Sequence, residues 1–216
     1  APYANLTNRF GARMGDTKLV DMMVGALHDP FHTIHMGVTA ENVAKEFEIT
    51  REQQDALALE SHQRAEKAWA EGRFKDQIVP IMLKSKKGDV AFEKDEHFRA
   101  GTKLEDFTKM KPVFIKENGT VTAGNASGIN DAAAAVVLME AAAAKARGAT
   151  PMARLVGYAT AGVEPKIMGI GPVPATKAVL AKTGLKLDQI DIIEANEAFA
   201  AQACAVTKGL GADPAK

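Results

Sequence analysis

The chain has 216 residues, a length that suits one large domain or two small ones. Its contents of 46% hydrophobic and 25% charged residues are ordinary for a soluble globular protein. Lysine plus arginine and aspartate plus glutamate both number 27, so the net charge is zero and gives no argument for a nucleic-acid partner.

Cysteine content and apolar runs restrict the environment further. The single Cys204 excludes an intrachain disulfide and fits a reducing compartment, so we expect a cytoplasmic protein. The longest apolar run, residues 132–139, is far shorter than the ~20 residues that cross a bilayer, so we expect no membrane partner. Because the chain opens on Ala1 rather than methionine, we expect a piece of a longer protein.

Residues 1–30 are irregular and rich in Arg, Gly, Met and Asp. Val20, Met23, Val24 and Leu27 fit one helical face, which Asp29-Pro30 ends because proline disfavours the helical conformation before it. His28, His32 and His35 follow at spacings of four and three, which on an unbroken helix could bind a metal. Pro30 breaks that helix, so we expect no metal site.

Two helices are predicted next. Thr39 is a good N-cap for a short helix with Ala40, Val43 and Phe47 on one face. Thr50 to Gln53 form a capping box that starts a second, longer helix, and Gly72 ends it.

The middle of the chain carries weaker signals. Residues 78–83 predict a strand with Pro80 at an edge or bulge. The basic turn at residues 84–87 is either solvated or faces an anionic ligand. Residues 90–118 show no strong period. Small residues crowd residues 119–131, the glycine-rich segment, and such a run either lets the backbone approach a ligand closely or forms tight turns.

The last third alternates strand and helix signals. Residues 132–139 fit a buried strand or a helix by periodicity alone, and residues 140–147 predict a helix ended by Gly148. Residues 151–160 predict a strand, and a helix ended by Gly184 follows. This order favours an α/β layer.

Residues 190–201 carry the sharpest local pattern. Ile190, Ile192 and Ile193 predict a short buried strand, and Asn196 then stands where an N-cap would stand. The following helix has one apolar face: Phe199, Ala203, Val206 and Leu210. Asn196 is therefore expected at the carboxyl end of a strand, where ligands collect in α/β sheets. The alternative is a capping Asn with a structural helix behind it.

Three segments together resemble the thiolases, enzymes that make or break carbon–carbon bonds between acyl-CoA thioesters. They are His35 to Asn42 (HMGVTAEN), Gly119 to Asp131 (GTVTAGNASGIND) and Asn196 to Ala200 (NEAFA). The resemblance runs the length of the chain and implies an α/β protein with the layered αβαβα thiolase fold. The fold is expected to be incomplete, with an inserted α+β loop domain.

The resemblance also implies a division of the chain. Residues 1–128 would be the loop domain with its tetramerisation loop and coenzyme A (CoA) region, although residues 1–30 could equally be a surface loop. Residues 129–150 would end the N-terminal thiolase domain, and residues 151–216 would begin the C-terminal one. The same resemblance makes residues 132–139 a core strand.

Site residues follow from the same resemblance. Asn196 is implied as catalytic, holding a water of an oxyanion hole. Asp106 stands where several relatives carry Ser, which puts that one polar contact in doubt. The residues implied to bind CoA are His35, Met36, Arg99, Phe114, Ala123, Ala126, Ser127, Gly128, Ala198 and Phe199.

The implied activity needs residues that this chain lacks. Thiolase chemistry uses a nucleophilic Cys, a His that activates it and a second Cys as acid/base. Cys204 lies inside a predicted helix, where a cysteine is usually inert. We therefore expect an inactive piece of a homotetrameric acyl-CoA acyltransferase that uses CoA as substrate and holds no other cofactor. Two alternatives remain: a non-catalytic CoA or lipid carrier, and a helical interaction module on residues 39–72.

Overall fold

A computed structural model describes residues 2–216 of the chain. Seven α-helices and four short strands are assigned within that range. The strands are β1 (Tyr3–Ala4), β2 (Val20–Asp21), β3 (Ile81–Leu83) and β4 (Val90–Phe92). The helices are α1 (Met22–Ala26), α2 (Met36–Glu46), α3 (Arg51–Ala70), α4 (Leu104–Thr108), α5 (Ala141–Ala146), α6 (Pro172–Thr183) and α7 (Ala200–Leu210). Three short 3₁₀ turns cover Lys75–Gln77, Pro165–Ile170 and Leu187–Gln189.

Helix α2 begins four residues before its predicted start. His35 is its N-cap, and the His35 Nδ1 atom accepts a hydrogen bond of 3.0 Å from the Gly37 N–H. The prediction of Thr39 as N-cap is wrong. Thr39 is buried inside the helix, and its hydroxyl donates to the Met36 carbonyl at 2.6 Å instead. A histidine ring nitrogen has taken the acceptor role that Ser, Thr, Asp or Asn usually provides at this position.

Helix α3 confirms its prediction. The Thr50 Oγ1 atom accepts from the Gln53 N–H at 3.3 Å, and the Gln53 Oε1 atom accepts from the Thr50 N–H at 2.8 Å. This reciprocal pair is the capping box that the sequence predicts. The helix then runs for 20 residues, which makes it the longest helix in residues 2–216.

The two small sheets lie in the first half of the chain. Strands β1 and β2 pair antiparallel, as do β3 and β4. The predicted strand at residues 78–83 is confirmed in its second half only. Its partner β4 and the helix α4 both fall in residues 90–118, where the sequence showed no period.

Three helices of the second half are confirmed. Helix α5 ends just before Gly148. Helix α7 packs Val206 and Leu210 of the predicted apolar face against the core, but Ala201 and Ala205 take the place predicted for Ala203. Helix α6 ends on Gly184, whose φ of 70° lies in the left-handed region that favours glycine.

The strands predicted at residues 132–139, 151–160 and 190–193 are wrong. Within residues 2–216 these segments pair with no neighbouring strand, and the structure assigns neither helix nor ladder to them. Val137 is 87% exposed and Ile192 is 74% exposed. β-branched composition predicts that a segment can form a strand, but a ladder also needs a second strand to take up the backbone groups.

The core lies between α2, α7, the start of α6 and the Pro165–Ile170 turn. Val43 and Val121 are completely buried there, and Ala201 and Ala205 of α7 face them with no exposed surface. The alanines let α7 lie close to its neighbours. This packing fixes α2 and α7 on one side of the glycine-rich segment.

Candidate functional site

A cleft of about 830 Å³ opens beside this core. Its walls are α3, α4 and residues 95–102, which we call the wall segment. The glycine-rich segment forms its floor, together with the first residue of α7, Ala200. The volume is of the size that small-molecule and cofactor sites commonly have.

One face of α3 lines the cleft. Leu57, Ser61, Ala65 and Trp69 follow one another at four-residue spacing along it. Phe107 of α4 is 1% exposed and closes the apolar end of the cleft.

The wall segment is attached to α3 by two backbone hydrogen bonds. The His62 Nδ1 atom accepts from the Arg99 N–H at 3.2 Å, and the Glu66 Oε2 atom accepts from the Gly101 N–H at 3.0 Å. Phe98 stacks on Trp69 with 6.1 Å between the ring centroids. The wall segment therefore takes its position from α3 side chains one helical turn apart.

The wall also touches the floor. A Cβ atom added to Gly128 would lie 1.9 Å from the His97 Cε1 atom, so the imidazole lies directly against that backbone. A side chain at this position would require the His97 imidazole to move.

A buried carboxylate of α2 holds the start of the glycine-rich segment. Glu41 is 6% exposed, and its oxygens accept from the N–H groups of Thr120 and Val121 at 2.9 Å and from the Thr120 hydroxyl at 2.8 Å. A buried charge persists when it receives this many hydrogen bonds.

A second buried carboxylate, Asp55 of α3, holds the middle of the same segment. Its Oδ1 atom accepts from Asn125 Nδ2 at 2.9 Å, and its Oδ2 atom accepts from Arg51 Nε at 2.7 Å. Arg51 also donates to the carbonyls of Phe107 and Met110, at 2.7 and 3.0 Å. Helices α3 and α4 and the floor of the cleft thus share one polar network.

The floor continues into an aromatic cluster, which consists of His35, Phe114 and Phe199. The His35 and Phe114 rings stack at 4.8 Å, and Phe114 meets Phe199 edge-on at 6.3 Å. Ala126 forms an isolated antiparallel bridge with Phe199. The Ser127 N–H donates to the Ala198 carbonyl at 3.0 Å, which joins the cluster to the cleft.

The surroundings of His35, in the aromatic cluster, and of His62, on the cleft, both favour a neutral imidazole. Burial, followed by the nearby His28, lowers the pKa of His35. Burial, followed by His97 and Arg99, lowers the pKa of His62. At neutral pH each ring can therefore keep the acceptor role that its hydrogen bond requires.

The structure brings most of the predicted site residues together in two adjoining places. Five of them line the cleft: Arg99, Ala123, Ala126, Ser127 and Gly128. His35, Phe114 and Phe199 form the aromatic cluster. Met36 opens α2 beside it, and Ala198 accepts the hydrogen bond from Ser127.

Asn196 lies outside both places. It is exposed, and none of the hydrogen bonds in residues 2–216 uses its side chain. The N-cap interpretation is wrong, because α7 begins at Ala200 with Phe199 in the cap position. The neighbouring Glu197 does line the cleft and accepts from the Ser61 hydroxyl at 2.7 Å.

Several site residues were missed by sequence reasoning. His62, Glu66 and Trp69 lie on the cleft side of α3, and the regular spacing of Leu57, Ser61 and Ala65 could have indicated them. The local sequence pattern gave no role to the carboxylates of Glu41 and Asp55. Asp106, the departure from the family pattern, accepts from the Lys103 N–H at 2.9 Å at the start of α4.

The other features considered from the sequence are a metal site, the basic turn and a membrane span. In the described part of the chain, His, Cys, Asp and Glu do not gather in groups of three or more that could hold a metal ion. His28 and His35 pack edge to face at 5.3 Å. The basic turn at residues 84–87 does not line the cleft. Across residues 2–216, every helix is too short or too polar to cross a bilayer.

Residues 1–142 match the family model "Thiolase, N-terminal domain", and residues 149–216 match "Thiolase, C-terminal domain". The chain belongs to the thiolase family. Its α/β fold is the thiolase fold, of which it carries about half.

Two curated relatives illustrate the match. The beta-ketothiolase BktB of Cupriavidus necator is 68% identical over 216 residues, which are 100% of this chain and 55% of the relative. An acetyl-CoA acetyltransferase of Shinella zoogloeoides is 53% identical over 205 residues, which are 94% of this chain and 52% of the relative. The chain therefore spans about half the length of the curated relatives it matches.

Solved structures of thiolases superpose on this chain. The acetyl-CoA acetyltransferase of Bacillus anthracis superposes with a TM-score of 0.88 at 51% identity, over 99% of this chain and 54% of that protein. Human mitochondrial 3-ketoacyl-CoA thiolase in complex with CoA gives 0.85 at 43% identity, over 100% of this chain and 54% of that protein. The superposed part of the chain includes residues 132–139, 151–160 and 190–193, which pair with no strand here.

Proposed function

We propose that the protein to which this chain belongs is an acyl-CoA acyltransferase, a β-ketothiolase. It would cleave 3-ketoacyl-CoA with free CoA, or condense an acyl-CoA with acetyl-CoA, within fatty acid metabolism. The observation that carries the proposal is the cleft. It contains five of the residues that the family resemblance assigns to CoA, and it adjoins an aromatic cluster containing three more.

The residues suit the parts of CoA by their chemistry. Arg99 offers a guanidinium to nucleotide phosphates. Ala123, Ala126 and Gly128 leave room for the backbone to approach a narrow pantetheine arm. Phe114 offers an apolar surface along its path. CoA takes part as a substrate, and no further cofactor is proposed.

The chain alone is proposed to be inactive, because its single thiol does not suit acyl transfer. Burial, followed by the charge of Glu197, raises the pKa of the Cys204 thiol, although its own backbone N–H opposes the shift. The Sγ atom lies 3.9 Å from the Gln53 carbonyl, within the α3–α7 contact. A thioester-forming nucleophile needs the opposite, an accessible thiolate. We therefore place the nucleophile, its histidine and the second cysteine outside this chain.

We further propose a cytoplasmic homotetramer as the complete protein. Residues 1–30 are the proposed tetramer contact, and their exposed apolar side chains support it. Phe10 is 96% exposed and Met14 is 97% exposed. Apolar groups exposed at this density commonly mark a contact between protein chains. The oligomeric state is measured by analytical ultracentrifugation, and a monomer at micromolar concentration would argue against the contact.

The test of the catalytic proposal uses the full-length protein. Acetoacetyl-CoA is incubated with free CoA, and the loss of its enolate absorbance is followed. We expect turnover by the full-length protein and none by residues 1–216 alone. Turnover by the 216-residue chain that persists in Cys204→Ala would contradict the missing nucleophile.

The second candidate is a non-catalytic thiolase-like protein that binds CoA or lipid. Such a protein would need only the cleft, because binding requires none of the catalytic residues. A full-length protein that binds CoA by calorimetry but never turns over acetoacetyl-CoA would favour this candidate.

A further inference from the structure

The attachment of the wall segment to α3 depends on a titratable acceptor. The His62 Nδ1 atom accepts the Arg99 N–H only while that nitrogen carries no proton. A protonated imidazole has two N–H donors and no acceptor, so the same contact would then set two donors against each other. The second attachment, donated by the Gly101 N–H to Glu66 Oε2, uses a carboxyl oxygen rather than an imidazole nitrogen as acceptor.

We propose that His62 is a positioning residue for CoA, holding the wall segment through the Arg99 backbone, and that its protonation weakens CoA binding in acid. The inference rests on the proposed function, because it takes the cleft as the CoA site. His62 acts through residues that it places. Arg99 offers its guanidinium, and His97 lies against Gly128 on the floor.

The surroundings of His62 make this titration possible. Its ring is half-buried and tilts against Phe107, with 5.9 Å between the ring centroids. Charged and titratable groups lie around the cleft on its own helix, the wall segment, α4 and the segment before α7. They are Glu66, Asp95, His97, Arg99, Asp106 and Glu197.

Burial lowers the pKa of His62 most, and the neighbouring His97 and Arg99 lower it further, so it lies below the ordinary histidine value. A lowered pKa means that the acceptor is intact at neutral pH and is lost as the pH falls through that pKa.

The experiment measures the dissociation constant of CoA by calorimetry at pH 7.5, 6.5 and 5.5, using the full-length protein. Wild type should bind CoA about fivefold more weakly at pH 5.5 than at pH 7.5, the size of effect that one lost hydrogen bond produces. Protonation of CoA itself and of other histidines contributes to any such change in the dissociation constant. The variants below isolate the share of His62.

His62→Asn keeps an oxygen near the position of Nδ1 and does not titrate. It should bind CoA within about twofold of wild type at pH 7.5 and lose most of the additional weakening at pH 5.5. His62→Leu removes the acceptor and should bind about fivefold more weakly at every pH. His32→Asn is the matched control, because His32 is exposed, lies outside the cleft and pairs with Glu164 at 3.3 Å. It should keep the wild-type pH profile.

Thiolysis kinetics on the same proteins give a second readout. Loss of positioning should raise the KM for CoA and leave kcat nearly constant, which a general loss of folded protein would not do. If His62→Asn keeps the full acid weakening, the inference is wrong. If wild type binds CoA with the expected profile but shows no turnover, the proposed catalytic function fails and the inference stands. If CoA does not bind at all, both are wrong.

Discussion

Asp55 and Asn125 lie 70 positions apart and share a buried hydrogen bond of 2.9 Å from Asn125 Nδ2 to Asp55 Oδ1. The rest of the Asn125 amide is also used. Its Oδ1 atom accepts the Thr122 N–H at 2.8 Å, and its Nδ2 atom donates to the Thr120 carbonyl at 3.0 Å. The Asn125 carbonyl accepts the N–H of Ala200 at 2.9 Å. One residue, through its side chain and its backbone carbonyl, therefore joins α3, the glycine-rich segment and the start of α7.

Exchanging the two residues tests this network. Asn125→Asp alone sets two carboxylates against each other in the interior and should cost about 3 kcal/mol of unfolding free energy. Asp55→Asn alone removes the charge that Arg51 faces and should cost a similar amount. The double variant restores one acid and one amide across the contact, so it should recover at least half of the summed loss. Urea unfolding of the full-length variants measures this, and strictly additive losses would contradict the pairing.

Glu41 gives a second stability prediction with a control on its own helix. Glu41→Gln replaces one carboxylate oxygen by an NH₂ group that faces the N–H donors of Thr120 and Val121. The expected loss is about 2–3 kcal/mol of unfolding free energy, because buried donors lose a charged acceptor. Glu46→Gln lies on the exposed side of α2 and should change it by less than about 0.5 kcal/mol. Equal effects of the two substitutions would show that the Glu41 contacts do not stabilise the floor.

Gly124 tests the close packing of the floor. A Cβ atom there would lie 2.7 Å from Met110 Sδ and 2.8 Å from Phe107 Cδ1. Phe107 is almost fully buried and cannot move aside freely, so Gly124→Ala should lower the thermal midpoint by several degrees, equivalent to about 1–3 kcal/mol. Gly162→Ala is the control, since nothing lies within 4 Å of its added Cβ atom. A Gly124→Ala protein as stable as the Gly162→Ala protein would show that the floor has room to adjust.

Local signals account for what the sequence predicted well. The capping box of α3, the end of α6 at Gly184 and the apolar face of α7 each depend on residues within one or two turns of each other. Such patterns can be read without knowing the rest of the fold. The start of α2 was misplaced because a histidine caps it, and histidine is not among the preferred N-cap residues.

Long-range relationships could not be read in the same way. Whether residues 132–139 form a strand depends on a neighbour that supplies hydrogen bonds, which composition does not specify. Likewise, nothing around Asp55 in the sequence indicates that its partner is Asn125. The CoA-binding residues were predicted through family resemblance, whereas His62 and Glu66 needed the packing of the wall segment against α3.

Cys204 provides a chemical prediction. The raised pKa leaves less thiolate at neutral pH than an ordinary thiol has, and the thiolate is the reactive form. Iodoacetamide should therefore modify Cys204 in the folded protein more slowly than it modifies glutathione at pH 7.5, and the rate should climb only at higher pH. The modification of a peptide containing this residue is followed by mass spectrometry, with urea-unfolded protein as the control. Labelling as fast in the folded as in the unfolded protein would contradict a half-buried, unactivated thiol.

Asn196 provides the sharpest test of the catalytic proposal, because the capping alternative is already wrong. Helix α7 begins four residues later, and the Asn196 side chain is exposed. Asn196→Ala should therefore cost less than about 0.5 kcal/mol of stability. If the amide holds a water that stabilises a developing oxyanion, the same substitution should lower kcat of the full-length enzyme by ~10² to 10³. If Asn196 is a surface residue without a role, stability and turnover should both stay unchanged.

Asn196→Asp separates the two ideas further, since a carboxylate beside the oxyanion would repel it and nearly abolish activity. The turnover number of both variants is measured and corrected for the folded fraction. If Asn196→Asp keeps more than about a third of wild-type turnover, far above the loss expected for a missing donor, the catalytic assignment is wrong.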